Sequence, residues 1–532
     1  MKFYSSLLFI LIFSMALHAQ VGIGTTAPNG ALDITSATDG LLIPQVALTN
    51  LTTLTVVTPT ASEIVYNTTS NGIVEPGYYY LLTATGPWVR FGGSGWLLDG
   101  NTGVTAASFI GSINDADVSF RRFNLPAGRI GTTNTSLGLA SLSNNVSGND
   151  NTAIGTNTLS AVVNGIQNVA VGYNALTNNA GSANIGIGWN AGAGSGTSFN
   201  NIAIGFEAMI NNAASNNIAI GFQAMRANVN SPNNMAIGFQ ALANLNNAAA
   251  NSNVAVGFQA MQNSAGNISG TSFFGTGAGR NNTGNFSTGL GMNALGSNNG
   301  GPSSGIFNTS VGYESLSFNT SGQQNTAVGA DALYRNTTGS FNTGIGYRSG
   351  EALTSGASNT MLGYQAGNNI TVGSNNTAVG FQAQVGTAGG SNQIRIGNGA
   401  ITLATTQVAW TTTSDRRWKE NITDASLGLD FLQTLRPVSY IRNNDEKGKT
   451  EYGFIAQELE QALINVGDKN NGIISKDDAG MYGVRYNDFI SITVKAVQEQ
   501  QALIETLQKQ NEELVNLNSA ILKRLEALEK KQ

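Results

Sequence analysis

Short bursts of apolar and small residues, each opened by an asparagine and closed by a glycine, mark out most of this 532-residue chain. In Asn217–Phe222, Ile218 and Ile220 flank Ala219, a period of two that predicts a strand with one buried face. The burst Asn-x-[Ala/Gly/Ser]-[Ile/Val]-Gly-[Phe/Tyr] first appears at Asn151 to Gly155. It returns with glycines at 172, 188, 205, 221, 238, 257, 275, 291, 312, 329, 346, 363, 380 and 397. Most intervals are 16 or 17 residues, and the last six glycines are spaced at 17. A fixed short period predicts a solenoid, whose stacked repeats bury a core that no single repeat could bury. The leading asparagine can bond neighbouring backbone or form a ladder with its equivalents in adjacent coils. The small segment after each glycine, such as Gln223-Ala224-Met225, predicts a second short strand. Two strands and two turns then fill one coil of a parallel β-roll.

The pattern changes on either side of this array. Ahead of it, strand-like runs occur at Val21–Gly24, Ala31–Ile34, Gly40–Pro44, Glu63–Tyr66 and Gly77–Leu82, and Trp88 and Trp96 follow. Enrichment in β-branched and aromatic residues between turn residues predicts a β-rich module over 20–100. Its aromatics fit core packing or a glycan-binding face. A transition over 101–150 carries further strand-like runs at Phe109–Gly111 and Val118–Phe123, and the β-roll repeats occupy 151–400. At the far end, Val497, Ile504 and Leu525 share one heptad seam, and Leu507, Leu514, Ile521 and Leu528 share the other. This predicts a coiled coil over 496–532, with Asn511 and Asn518 on the first seam to fix register.

Composition narrows the chemistry. Residues 1–19 have a lysine, an apolar run from Leu7 to Leu17 and Ala19, which predicts a secretory signal peptide. The chain has no cysteine, and its one histidine, His18, lies inside that signal. A mature chain without either residue cannot use Ser-His-Asp or Cys-His catalysis or the usual zinc ligand sets. No metal and no cofactor are expected. The formal net charge of −5, or −6 once Lys2 leaves with the signal, offers no electrostatic case for nucleic acid. Only ten charged residues and no lysine lie between Gly131 and Ala400, whereas the last part is dense in charge.

Asn168-Val169-Ala170-Val171-Gly172-Tyr173-Asn174-Ala175-Leu176 and Asn325 to Leu333 resemble the head repeats of YadA-like trimeric adhesins. The resemblance implies a trimeric roll. A coil of about 16 residues is too thin to bury much core alone, so the physical expectation agrees.

The run Thr413-Ser414-Asp415-Arg416-Arg417-Trp418-Lys419 opens a charged, α/β-like region. Leu432–Tyr440, Tyr452–Leu459 and Val484–Ile490 follow in order. This series resembles the carboxy-terminal intramolecular chaperone of phage endosialidases and other tail fibres, a self-cleaving family. The resemblance implies that Ser414 is the nucleophile, Lys419 its base and Thr413–Ser414 the bond cut. Trp418 departs from the aliphatic residue usual there. Serine–lysine chemistry needs no histidine, because a neutral lysine can accept the hydroxyl proton. Residues five apart do not face each other on a helix, so Ser414 is expected in an extended or turn segment before a helix holding Lys419. The competing reading makes Ser414 a helix N-cap, with Asp415 at the helix's positive end and Lys419 solvated.

Together these features predict a mainly β fold. A trimeric parallel β-roll solenoid stands between a small amino-terminal β module and an α/β chaperone domain (413–495) that ends in a coiled-coil helix. The expected function is a homotrimeric fibre or adhesin, secreted or displayed on the exterior of a Gram-negative outer membrane. Its last domain would act as a trimerisation chaperone and cut itself off in a single turnover. Surface glycans or host and cell-surface receptors are the expected partners beyond the chain itself. The alternatives are an uncut adhesin with a permanent trimerisation domain, and a glycan-degrading tailspike. The tailspike would need a carboxylate pair from Glu207, Glu314, Asp331 and Glu351, which form no recurring constellation.

Overall fold

The computed structural model describes residues 20–531 except 29, 53–55, 57–58, 72–73, 92–109, 113, 195, 246 and 298–300. The predicted signal peptide, Trp96 and Phe109 lie outside the described residues. The chain divides into two units at Gly111 and Ser112.

In the first unit, β1 (Val21–Ile23) pairs in parallel with β2 (Leu32–Ile34). A second sheet follows the order β3 (Gln45–Val46), β4 (Ile64–Asn67), β5 (Gly77–Leu81), β6 (Trp88–Arg90). The run expected as a strand at Gly40–Pro44 is irregular, and pairing begins one residue later at Gln45. Proline removes the donor a ladder needs, which accounts for the delay. Leu48, Val65, Val74, Tyr79, Leu81 and Trp88 form the core of this sheet, so Trp88 packs as a core residue. Asn67 is fully buried and ties the module together: its amide donates to the carbonyls of Thr69 and Glu75, and its oxygen accepts from Leu48 N.

The second unit opens with β7 (Val118–Arg122) and β8 (Leu125–Ile130), an antiparallel hairpin that continues onto β9 (Asn134–Leu137). From β9 onward every pairing is parallel. Fifteen more strands, β10 (Asn151–Ile154) to β24 (Ile394–Ile396), stack one per coil, with equivalent residues in register. The ladder thus starts at Asn134, one coil ahead of Asn151.

The coil interior is built from small residues. The middle strand residue points inward and is sealed, as at Ala153, Ala170, Ala219 and Ala327, while its neighbours Ile218 and Ile220 face outward and are half-buried. Leu176, Met209, Met225, Leu242 and Met261 fill the interior from the opposite side. That opposite side is not the second strand expected from its sequence: it is a run of turns, with Gln223 and Met225 at φ of +53° and +50°. Positive φ at alternate residues breaks an extended backbone, yet each turn still bonds its neighbour, as Met225 N does to Ala241 O at 3.0 Å. The glycine after each strand is fixed by sterics. A Cβ on Gly221, which has a φ of +134°, would lie 2.4 Å from the carbonyl oxygen of Gly238 in the next coil.

Asparagines form the predicted ladder. The side-chain oxygen of Asn325 accepts from the backbone N–H of Asn342 at 2.9 Å, and that of Asn342 accepts from Asn359 N at 2.9 Å. The side-chain amide of Asn325 donates to Gly339 O at 2.9 Å. A buried asparagine satisfies backbone groups that a turn leaves unpaired, so the residue recurs in the same place.

Beyond the solenoid, α1 (Leu429–Thr434) leads to a hairpin of β25 (Val438–Tyr440) and β26 (Glu451–Gly453). Then come α2 (Ala456–Asn465), a hairpin of β27 (Ile474–Lys476) and β28 (Tyr482–Val484), and the 41-residue α3 (Phe489–Glu529). Phe431, Leu459, Leu463, Ile473, Phe489 and Ile492 form one core. Only Phe489, Ile492 and Ala496 of α3 are buried; the rest of the helix leaves that core and presents Ile504, Leu507, Leu514 and Ile521 to solvent.

Candidate functional site

Ser414 lies in irregular backbone, followed by a single 3-10 turn at Arg416–Trp418 and then Lys419 in an extended conformation, with φ −124° and ψ 133°. One tight turn between two extended residues brings their side chains to the same side, and Lys419 Nζ donates to Ser414 Oγ at 2.7 Å. The pair predicted from sequence is therefore in contact within a single chain. Lys419 ends the turn instead of sitting inside a helix, because only three residues separate the cap from Lys419. Thr413, on the amino side of the bond expected to be cut, is in the same irregular stretch.

The N-cap is Asp415. Its carboxylate accepts from the backbone N–H of Arg417 at 2.8 Å. It also accepts twice from the Arg417 guanidinium, from Nε at 3.1 Å and from Nη2 at 2.8 Å. The competing reading gave the cap to Ser414; with Asp415 in that role, the serine hydroxyl is left to Lys419. The two-pronged contact with Arg417, and then the backbone N–H, hold the Asp415 carboxyl below the usual carboxylate range. This clamp fixes the turn that brings Ser414 and Lys419 together. The sequence displayed both residues, but their mutual contact follows from the turn and was not foreseen.

Every residue from Gly399 to Ser426 is exposed, including Ser414 and Lys419, and Trp410 and Trp418 on either side of the bond are 79% and 81% exposed. Water thus reaches the pair from all sides in one chain. Neutral lysine, the form that can act as a base, is favoured by desolvation. Geometry is supplied in a single chain; dryness is not.

The chaperone-like fold behind the site is fastened to the last coils. Asp478, in the β27–β28 turn, accepts from Ala388 N at 2.7 Å and donates its own N–H to Gly386 O at 2.9 Å. Asn444 Nδ2 donates to Gly399 O at 2.6 Å. No sequence signal announces contacts between residues 90 apart. Within the domain, Glu499 of α3 accepts from Leu429 N at 2.7 Å and so caps α1, and Arg436 bonds Glu458 of α2.

The carboxylates that a tailspike would need lie along the solenoid beside arginines. Glu207 pairs with Arg226 at 2.8 Å, while Asp331 and Glu351 share Arg348 at 3.3 and 3.7 Å. Carboxylates neutralised in this way are poorly placed as an acid and a nucleophile across a sugar.

Two family matches accord with this arrangement. The family described as Chaperone of endosialidase matches residues 414–468, and its first matched residue is Ser414. The family described as Phage tail like trimerisation region matches residues 22–106, a segment the sequence reading took only as a β-rich module. No curated protein and no solved structure matches the chain. The chain therefore carries a phage-tail-like trimerisation region and a chaperone-of-endosialidase domain on either side of a β-solenoid, the architecture of a tail-fibre-like trimeric protein.

Proposed function

We propose that this protein is a homotrimeric surface fibre whose last domain templates assembly and then cuts the Thr413–Ser414 bond. The observation that carries this reading is the 2.7 Å contact between Lys419 Nζ and Ser414 Oγ in an otherwise solvated segment. Ser414 Oγ attacks the Thr413 carbonyl carbon, and its proton passes to neutral Lys419. The C–N bond then breaks, Lys419 returns the proton to the departing Ser414 amine, and an ester links Thr413 to Ser414 Oγ. Water hydrolyses the ester and leaves a Thr413 carboxylate and a free Ser414 hydroxyl.

Full exposure of the pair in one chain makes the reaction conditional on assembly. Trp410 and Trp418 are the large apolar groups that neighbouring copies would cover, and covering them dries Lys419 as well. The exposed seam of α3 supports a three-stranded coiled coil that brings the copies together. Near-identical coils can slip by one repeat, so a domain that sets register before the solenoid zips has a clear use. Cutting afterwards would leave the fibre kinetically trapped. The apolar amino terminus supports export, and the reading places the fibre outside a Gram-negative cell, where surface glycans or receptors are its candidate ligands.

The test is intact mass and denaturing gels of the purified protein beside Ser414→Ala and Lys419→Ala. A wild-type fragment beginning at Ser414 and absent from both variants is the expected result. A full-length wild-type trimer overturns the cutting step. It favours the second reading, a permanent trimerisation domain, which the Asp478 clasp on Gly386 and Ala388 also supports.

A further inference from the structure

We propose that the outward strand face of the solenoid is the surface on which three copies of this chain pack; the inference rests on the trimeric reading and deepens it. The outward residues of each coil form three columns: the first strand residue, the third, and the aromatic after the glycine. Ile218, Ile220 and Phe222 are one set, and they alternate with inward Ala219 and Gly221. From Val169 to Phe381, across thirteen rungs, no position in the three columns is charged. The charged side chains of the array fall elsewhere on the coil, as Glu207 does beside Arg226.

The aromatic column closes on itself. Trp189, Phe206, Phe222, Phe239 and Phe258 stack face to face with centroids 4.7, 5.2, 5.0 and 5.1 Å apart. Each ring covers its neighbour's face, so the stripe shows only edges to solvent, and Phe222 remains 40% exposed. A sugar ring needs an open aromatic face on which to lie, which this ladder does not offer. Apolar side chains of another protein surface can pack against ring edges.

Size decides the occupant. Thirteen rungs at about 4.8 Å make a strip about 62 Å long, and five residues of strand make it about 15 Å wide. About 900 Å² of largely apolar surface exceeds the roughly 300–600 Å² of the largest patch on a typical monomer. It matches the roughly 800 Å² that each partner contributes to a specific interface. A face repeated at the coil spacing is complemented by a surface with the same spacing, and another copy of this chain has one. The match to a trimerisation region sets the number of copies at three.

The chain contains no cysteine, so single thiols report cleanly on this face. Phe222→Cys and Tyr364→Cys sample the face in two places, and Asn244→Cys samples the exposed turn side of the coil. Each purified variant is sized by light scattering and then alkylated with a maleimide under native conditions. A mass of three chains, with both face thiols reacting at least about tenfold more slowly than the Asn244 thiol, is the expected result. A three-chain mass with equal rates, or with the Asn244 thiol slower, overturns this interface and leaves the trimer standing. A one-chain mass overturns the trimeric reading itself.

Discussion

Removing one rung of the interior asparagine ladder should loosen the solenoid locally. Asn325 is fully buried, and its oxygen is the only acceptor for the backbone N–H of Asn342 among the described residues. Asn325→Ala orphans that N–H. The carbonyl of Gly339 loses one donor but keeps the side-chain amide of Asn336 at 2.9 Å. An unsatisfied buried group costs about 1–3 kcal/mol, and the small void left by the amide adds about 1 kcal/mol, giving about 2–4 kcal/mol in each chain. Coils of a solenoid contact mainly their neighbours, so the loss should stay local. At 1.4 kcal/mol per factor of ten, amides of Thr326–Val328 and Thr343–Ile345 should exchange hydrogen about thirty to a thousand times faster, with rungs near Val169 unchanged. The control is Asn244→Ala, which removes an exposed side-chain bond to Asn263 at 3.0 Å and should change exchange little. Hydrogen exchange read by mass spectrometry decides the matter. Equal protection in Asn325→Ala and wild type, or uniform loss along the whole array, would refute the reasoning.

Other expectations follow from the same geometry. Lys419→Arg keeps a cation beside Ser414 but cannot accept a proton, so intact mass should show an uncut chain. Asp415→Asn keeps an acceptor for the Arg417 N–H but loses the ion pair, and cutting followed on gels should slow without unfolding visible by circular dichroism. Because the folded Asp415 pKa lies below its ordinary value, the clamp is fully made above about pH 5 and is lost as pH falls through the folded value. Arg417 side-chain NMR signals should report that loss. Leu507→Asp with Leu514→Asp should leave α3 helical but abolish both the three-chain mass and the cut. Gly329→Ala places a Cβ 2.5 Å from the Gly346 carbonyl oxygen at a φ of +130°, and should sharply lower the yield of soluble fibre.

Much of the architecture could be read from spacing. A glycine every 16 or 17 residues forces one coil per repeat, because only glycine can sit where the next coil's carbonyl approaches its Cα. An asparagine in the same phase forces a ladder, because a buried turn must satisfy its backbone. Sequence also brought Ser414 and Lys419 forward as a pair, through the order of segments that follow them, although a spacing of five residues does not itself bring side chains together. What only the tertiary structure decided concerns direction and distance. Period two does not say which half of a strand points inward; the narrow coil settles that, since alanine fits its interior and isoleucine does not. The turn side reads like a strand because small and apolar residues suit both, and its positive φ values emerge only when the coil must close within 16 or 17 residues. The Asp415–Arg417 clamp depends on a single 3-10 turn, and the Asp478 clasp joins residues 90 apart, so neither leaves a local signal. Local pattern encodes whatever repeats at short range. Contacts made by chain reversal or by distant segments are set by packing alone.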